Sequence, residues 1–361
     1  MSLYSFFNRK LFPVYRKSVS KVHELRYIFF ELTHRCNLSC LHCGSDCIKD
    51  TRTPDLKSED ILRVLSEIKT SHDPSKVMVA LSGGEPLCYP DLWHLGKEIR
   101  RLGFSWGMVT NGFNWNEDTY AKAIEAGMGS VTISVDGFEE DHNWLRGHPQ
   151  SFERAMRALD DLVKNDFPGA FDVVTCANAR SLPKLEEFHD FLVDRGLKMW
   201  RLFIISPIGR ARKFPELILS GEQLRTLLKK IETLRDSSPM RVTYSESGYL
   251  GVEFEQKVRH DRFLCLAGIN VSGVMVNGDI LACPNIDRRF KQGNIHKDSF
   301  LDVWENRYDQ FRNRQWMKVG ECEHCEQWPL CQGNSFHLWD LDKCSTRYCH
   351  HKLLYDPDNQ N

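Results

Sequence analysis

The chain has 361 residues, enough for one large domain and a smaller one, and its 41% hydrophobic content suffices for a buried core. Its 48 basic and 49 acidic side chains nearly cancel, which excludes a general attraction to nucleic acid, so no nucleic-acid partner is expected. No run approaches the roughly 20 apolar residues of a membrane-spanning helix and no secretory signal is recognisable, so a cytoplasmic protein is predicted.

The first segment of the chain is basic. Residues 6–25 contain five Lys or Arg side chains before the first acid, Glu24. A basic amphipathic stretch can lie on a membrane surface, which leaves a membrane-adjacent role open. Because Pro13 interrupts the stretch, a helix packed on the bottom of the following domain is the favoured interpretation.

Six apolar runs have the length and the β-branched or aromatic content of strands. They are YIFFELT (27–33), VMVALS (77–82), GMVT (107–110), VTISVD (131–136), FDVVTC (171–176) and WRLFII (200–205). Helical patterns separate these runs, and the clearest begins at Ser58, a candidate N-cap. This alternation predicts an α/β fold with a parallel sheet, either doubly wound or curled into a partial barrel, whose site lies at the carboxyl ends of the strands.

Thirteen cysteines in a chain without an export signal predict metal ligands rather than disulfides, because the cytosol keeps thiols reduced. One cluster, in residues 36–47, directly follows the first predicted strand. A second group runs from Cys265 to Cys349. Cys88 and Cys176 stand alone and are expected to be small buried residues.

Small and polar residues follow the next three predicted strands. The segments are SGGEP (82–86), TNG (110–112) and SVDG (134–137). Each is an ordinary turn sequence by itself. Because parallel strands end at one edge of a sheet, these segments are expected to share a rim with the first cysteine cluster.

The spacing Cys36-x3-Cys40-x2-Cys43, with His42 before the third cysteine, resembles the cluster motif of radical S-adenosylmethionine (SAM) enzymes. The resemblance covers roughly residues 25 to 215 and implies a partial (β/α)6 TIM-type barrel. It implies that the three thiolates hold a 4Fe-4S cluster whose fourth iron stays open for SAM. The implied cofactor-binding residues are Gly83, Gly84, Glu85, Asn111, Ser134 and Asp136, and the PIGRA turn (207–211) is similar to the adenine-side segment.

The reaction implied by this resemblance is reductive cleavage of SAM to a 5'-deoxyadenosyl radical that abstracts an unactivated hydrogen atom. Such a reaction requires an external electron donor, of flavodoxin or ferredoxin type. No catalytic base is assigned from the sequence.

The C-terminal cysteines resemble the SPASM extension of these enzymes, a small cysteine-rich iron-sulfur domain. The pattern departs at Ser335, where a cysteine is usual, and His337 is a possible substitute ligand although a surface position is expected for it. The preferred interpretation is two auxiliary clusters, and a single auxiliary cluster with spare thiols is the alternative. The preferred ligand sets are Cys322, Cys325, Cys331 and Cys349 for one cluster, and Cys265, Cys283 and Cys344 for the other.

The domain prediction combines these segments. It comprises a basic N-terminal segment (1–25), a radical SAM partial barrel (26–215), a helical linker (216–259) and a SPASM auxiliary-cluster domain (260–361). Only about 25 residues precede the first strand, so no appended peptide-recognition domain is expected. A lipoprotein partner is a further possibility, since some SPASM enzymes act with one.

Three functions remain open at this point. The SPASM resemblance favours an enzyme that modifies a ribosomally made peptide. Sulfatase maturation ranks second, because such maturases typically place an Asp directly after the Gly-x4-Cys cysteine, where this chain has Pro284, with Asp287 three residues further on. A structural zinc site built on Cys322-x2-Cys325 would instead make the chain a non-catalytic binding module, but zinc does not explain the first cysteine cluster.

Overall fold

The computed structural model describes residues 3–356, with side chains from residue 11 onward. Twelve strands are present in this range. They are β1 Tyr27–Thr33, β2 Met78–Gly83, β3 Ser105–Thr110, β4 Ser130–Ser134, β5 Ala170–Ala177, β6 Met199–Ile204, β7 Arg241–Tyr244, β8 Val271–Val274, β9 Asp279–Leu281, β10 Gly293–Asn294, β11 Trp339–Asp340 and β12 Ser345–Thr346. The six predicted strands are confirmed as β1–β6, each within two residues of its predicted limits.

Thirteen α-helices accompany the strands in the described part of the chain. They are α1 Leu3–Val22, α2 Ser58–Ile68, α3 Leu92–Arg101, α4 Glu117–Glu125, α5 Glu139–Arg146, α6 Ser151–Lys164, α7 Leu185–Asp194, α8 Gly221–Ser237, α9 Val252–Val258, α10 Phe300–Asn306, α11 Asp309–Arg312, α12 Trp328–Cys331 and α13 His350–Tyr355. A helix follows each of β1–β6, so the predicted alternation is confirmed.

Ten strands form one open sheet in the order β10-β9-β8-β1-β2-β3-β4-β5-β6-β7. Strands β1–β7 are parallel to their neighbours, whereas β8–β9 and β9–β10 pair antiparallel. Because β1 and β7 do not pair with each other, the barrel stays partial, as the sequence predicted.

The sheet extends beyond the six predicted strands on both sides. Strand β7 lies within residues 216–259, for which the sequence predicted a helical linker. On the other side, β8 pairs parallel with β1 over Tyr27–Phe30, so the C-terminal region continues the barrel sheet directly. The predicted domain limits stay predictions.

The apolar side chains of the helices and strands merge into one core. In α2, Ile61, Val64, Leu65 and Ile68 are fully buried at helical spacing. Ser58 is not the N-cap of this helix, since Lys57 occupies that position. Its hydroxyl contacts the Tyr89 hydroxyl at 2.9 Å instead.

The basic N-terminal segment forms α1, with Pro13 inside the helix. The buried Arg16 side chain donates hydrogen bonds to the carbonyl oxygens of Pro329 and Leu330. The helix therefore packs on α12 in the C-terminal region, which differs from the expected position under the barrel. Among residues 3–356, no helix combines the length and the hydropathy needed to cross a membrane.

Candidate active site

The loop after β1 carries the first cysteine cluster and is held in place from several sides. Cys36 and Cys40 are each only 9% exposed, and Cys43 is half-buried. The backbone N–H of Cys36 donates to the Ile48 carbonyl oxygen at 3.1 Å, and the Leu41 N–H donates to Leu145 O at 2.9 Å. The loop thus folds back on itself and lies against the end of α5.

The three thiols of this loop belong to one small packed cluster. Burial raises the pKa of Cys36 to about 12, and negative charge on Cys40 and Cys43 would raise it further. Burial disfavours the thiolate of Cys36, so a bound cation would help to keep it charged. Three thiols packed in one loop suit an iron-sulfur cluster with one open iron, so the residues present fit the implied group.

A fourth thiol in the same loop was not assigned from the sequence. Cys47 is only 4% exposed and packs with Cys36 and Cys40. A hydrogen bond from the Cys47 thiol, together with backbone donors and Arg210, lowers the pKa of Cys43 to about 6 despite burial. The three-residue spacing between Cys43 and Cys47 could have indicated this thiol from the sequence. Such spacing does not distinguish a cluster ligand from a cysteine that lies near the cluster.

The Gly83-Gly84-Glu85 segment packs directly on the cysteine loop. Gly83 has φ +138°, and a Cβ atom there would lie 2.4 Å from Thr33 O. A Cβ atom on Gly84 would lie 2.3 Å from Arg35 O. The two glycines were expected to let the backbone approach the cofactor, and the close approach that the structure shows is to the cysteine loop.

The buried carboxylate of Glu85 connects the end of β2 to the end of β3 through hydrogen bonds. It accepts hydrogen bonds from Thr110 Oγ1 at 2.6 Å, from the backbone N–H of Asn111 at 2.9 Å and from that of Leu87 at 3.0 Å. Burial raises the pKa of Glu85 although these donors oppose the shift. Asn111 in turn donates to Asn37 Oδ1 in the cysteine loop at 2.8 Å.

The fourth strand end contributes Ser134 and Asp136. Ser134 is 7% exposed, and its hydroxyl makes no hydrogen bond within the described residues. Asp136 is fully buried and forms an ion pair with Arg146 at 2.6 Å. Burial alone would raise the pKa of Asp136, but Arg146 and the nearby His42 and His142 lower it to about 2.

Arg146 also lies against the cysteine loop, with Nη1 3.9 Å from Cys40 Sγ. Sequence reasoning missed this residue, because it stands at the end of α5 and meets the site only through the fold. His42 lies nearby, and its ring, the Asp136 carboxylate and the Cys176 thiol have ligand atoms within 4.8 Å of one another. Burial lowers the pKa of His42 to about 4, so the ring is neutral at pH 7.

The PIGRA turn covers the other side of the cysteine loop. A Cβ atom on Gly209, which has φ +54°, would lie 2.4 Å from Cys43 O. The Arg210 side chain donates to Cys40 O at 2.8 Å and to Cys47 O at 2.7 Å. The turn therefore fixes the shape of the cysteine loop, a role that the sequence did not indicate.

Four C-terminal thiols lie near enough to one another to interact electrostatically. Burial raises the pKa of Cys331 to about 12, and charge on Cys349, Cys322 and Cys325 adds to the shift. Burial likewise raises the pKa of Cys322 to about 11, with contributions from Cys349 and Cys325. The four cysteines that the sequence grouped as one auxiliary ligand set thus share one neighbourhood, and their role as ligands stays a prediction.

The members of the other predicted ligand set differ in burial, since Cys265 is buried and Cys344 is exposed. Cys265 and Cys283 are neighbours, since charge on Cys265 adds to the burial that raises the pKa of Cys283 to about 12. Cys344 is exposed, and its thiol contacts Leu341 O at 3.7 Å. The backbone of Cys344 lies beside Gly320, two residues before Cys322. Strand β12, which follows Cys344, contacts the same Gly320–Cys322 segment.

Cys265, Ser335 and His337 each interact with other groups of the protein. Burial would raise the pKa of Cys265, but the Arg314 guanidinium lowers it. The Ser335 hydroxyl is buried and donates to Ser247 O at 2.8 Å. His337, expected at the surface, is 14% exposed and forms an ion pair with Glu246 at 2.9 Å.

Comparison with known proteins agrees with this geometry. Residues 30–192 match the family model of the Radical SAM superfamily, and residues 265–326 match that of SPASM, an iron-sulfur cluster-binding domain. Residues 30–192 are therefore a radical SAM domain, and the chain also carries a SPASM domain. It is an enzyme whose cofactors are SAM and iron-sulfur clusters, and the non-catalytic zinc module is not supported.

Individual relatives have different activities. An AdoMet-dependent heme synthase of Methanosarcina barkeri is 27% identical over 85% of this chain and 90% of its own length. The mycofactocin maturase MftC of Mycolicibacterium smegmatis is 28% identical over 84% of this chain and 76% of its own length. Streptococcus suis SuiB bound to its precursor peptide SuiA has a similar fold, with a TM-score of 0.71 at 17% identity over 95% of this chain and 79% of SuiB.

Proposed function

We propose that this enzyme cleaves SAM reductively at a 4Fe-4S cluster held by Cys36, Cys40 and Cys43, and that it modifies a side chain of a peptide or protein. The observation that carries the proposal is the buried convergence of three thiols beside the Gly83–Glu85 segment. When bound, the cluster and SAM supply the 5'-deoxyadenosyl radical that abstracts hydrogen from the substrate.

The chain's own residues hold and shield this chemistry. Arg146 and Arg210 fasten the cysteine loop, and the two glycines let β2 close against it. Ser134 has a hydroxyl free to bind the cofactor, whereas the carboxylates of Glu85 and Asp136 already accept hydrogen bonds within the protein. We assign these carboxylates, with Asn111, a positioning role beside the cofactor, and we assign Gly83 and Gly84 to its backbone cradle.

Four observations support one auxiliary cluster rather than two. Four thiols converge at Cys322, Cys325, Cys331 and Cys349, which suits a closed 4Fe-4S site. Cys344, the third predicted thiol of the other set, is exposed, whereas Cys265 is buried. A buried guanidinium, Arg314, lies against Cys265 and can stabilise its thiolate without a metal. The buried Ser335 hydroxyl is engaged by backbone. We therefore propose a single auxiliary cluster, the alternative to the two clusters that the sequence favoured.

A peptide substrate is supported by the similarity to the mycofactocin maturase. Sulfatase maturation is less well supported, because the Asp287 carboxylate is bound at 2.7 and 3.0 Å by Arg289 and is not a free base. A tetrapyrrole substrate is the second candidate, since the heme synthase shares similarity over most of both chains. We also propose an external donor of flavodoxin or ferredoxin type, because reductive cleavage of SAM consumes one electron.

The proposal is tested by anaerobic reconstitution. Reduced wild-type enzyme should form 5'-deoxyadenosine from SAM, and Cys40→Ala should abolish this product and lower the iron content. Cys88→Ala removes a half-buried thiol outside the trio and serves as the matched control, with cleavage retained. Undiminished cleavage by Cys40→Ala would contradict the assignment of the cluster.

A further inference from the structure

Two adjoining cavities separate the barrel from the C-terminal region, and we call them together the inter-domain cleft. The first has a volume of about 280 Å³ and the second of about 430 Å³. Arg212 and Arg347 line both cavities, which makes the cleft continuous.

The cleft begins beside the cysteine loop. Gly44, which directly follows Cys43, lines the first cavity together with Ile208 of the PIGRA turn. The opposite wall includes Asn285, two residues after Cys283. A substrate that reaches the neighbourhood of the cysteine loop between the two regions therefore passes through this cleft.

The cleft carries surplus positive charge. Its two carboxylates are already neutralised, since Arg289 binds Asp287 and Arg347 binds Asp340 at 2.9 Å. Arg212 and Lys343, in contrast, have no carboxylate partner in the described part of the chain. Two unpaired cations beside a cavity favour an anion, and a guanidinium matches a carboxylate in shape.

The walls of the cleft include apolar side chains. Pro207 and Ile218 line the second cavity, and Trp339 lines the first. Such walls suit an organic substrate better than a free inorganic anion.

We propose that the inter-domain cleft binds carboxylate groups of the substrate, with Arg212 and Lys343 as their ligands. The proposal rests on the proposed function, because it assumes that the substrate reacts beside the cysteine loop. The carboxylate can come from Glu or Asp in a peptide or from the propionate groups of a tetrapyrrole. Both sources present the same carboxylate group, and the two arms of the experiment distinguish them.

The test measures binding to anaerobically reconstituted, SAM-loaded enzyme. One arm titrates a fluorescein-labelled twelve-residue peptide with four Glu residues, against its Glu→Gln version, by fluorescence anisotropy. The other arm titrates iron coproporphyrin III, against its tetramethyl ester, by absorbance. Arg212→Gln and Lys343→Gln, alone and combined, are compared with Arg157→Gln, which removes an exposed cation on α6.

At least one acid probe should bind more tightly than its neutral counterpart. Each single variant should weaken that binding up to about five-fold, and the double variant about ten-fold or more, while Arg157→Gln has no effect. If the porphyrin binds and the peptide does not, the result supports the carboxylate site and contradicts a peptide substrate. Equal binding of acid and neutral probes, or wild-type affinity in the double variant, would overturn the proposal, whereas failure to cleave SAM would overturn only the proposed function.

Discussion

The auxiliary iron content provides the sharpest test of the ligand assignment. In a variant with Cys36, Cys40 and Cys43 replaced by Ala, only the C-terminal thiols remain to hold iron. The four-thiol group accounts for one 4Fe-4S cluster, or about four irons per chain. Cys265 and Cys283, with Arg314 beside them, account for none.

Two further substitutions in this background separate the possibilities. Cys349→Ala removes one of the four convergent thiols, so the iron content should fall from about four towards zero as the cluster becomes labile. Cys344→Ala removes an exposed thiol and should leave about four irons in place. Iron and acid-labile sulfide are measured after anaerobic reconstitution and gel filtration.

The reasoning is refuted by either of two results. About eight irons in the background variant would show a second auxiliary cluster. A loss of iron in Cys344→Ala equal to that in Cys349→Ala would show that the exposed thiol is a ligand. Cys265→Ser provides an independent check, because it should leave the iron content unchanged.

Three other perturbations follow from buried contacts. Arg146→Gln leaves Asp136 without its ion-pair partner and should lower the free energy of unfolding by about 3 to 5 kcal/mol, measured with denaturant; a change under about 0.5 kcal/mol would contradict the buried pair. Gly84→Ala should reduce the iron content after reconstitution, because the new Cβ atom would clash with the backbone of Arg35. Gly129→Ala should leave the iron content unchanged, because its Cβ atom would lie 3.5 Å from the nearest atom. Equal iron contents in the two variants would refute the steric argument. His142 is neutral because burial lowers its pKa from 6.5 to about 3, so acid favours the unfolded state. Stability should therefore fall by about 1.4 kcal/mol per pH unit below pH 6.5 through this group, and an unchanged pH slope in His142→Gln would argue against it.

The barrel strands were predictable because each is a compact apolar run between helical segments. Strands β7 and β8 were not, for a different reason. The RVTY segment of β7 is short and starts with an exposed Arg, and β8 pairs with β1 across more than two hundred residues of chain. Neither feature leaves a local pattern, since non-local pairing is decided by the assembled sheet.

The residues of the candidate site also fall into two groups, those that local sequence spacing predicted and those that distant segments contribute. The spacing of Cys36, Cys40 and Cys43 predicted their grouping, because a short loop keeps its own residues close. Arg146 and Arg210 meet that loop from distant segments, so spacing carried no information about them. The sequence likewise gave no physical reason to separate Cys344 from Cys265 and Cys283.

The pairing of β8 with β1 has a consequence for how this molecule can be divided. A barrel ending before residue 260 would lose the partner of Tyr27–Phe30 and expose the backbone N–H and C=O groups of an apolar strand. An unprotected edge of this kind invites association with other chains. Separate expression of the barrel should therefore yield aggregates, and domain exchange with relatives requires the junction to lie beyond β10.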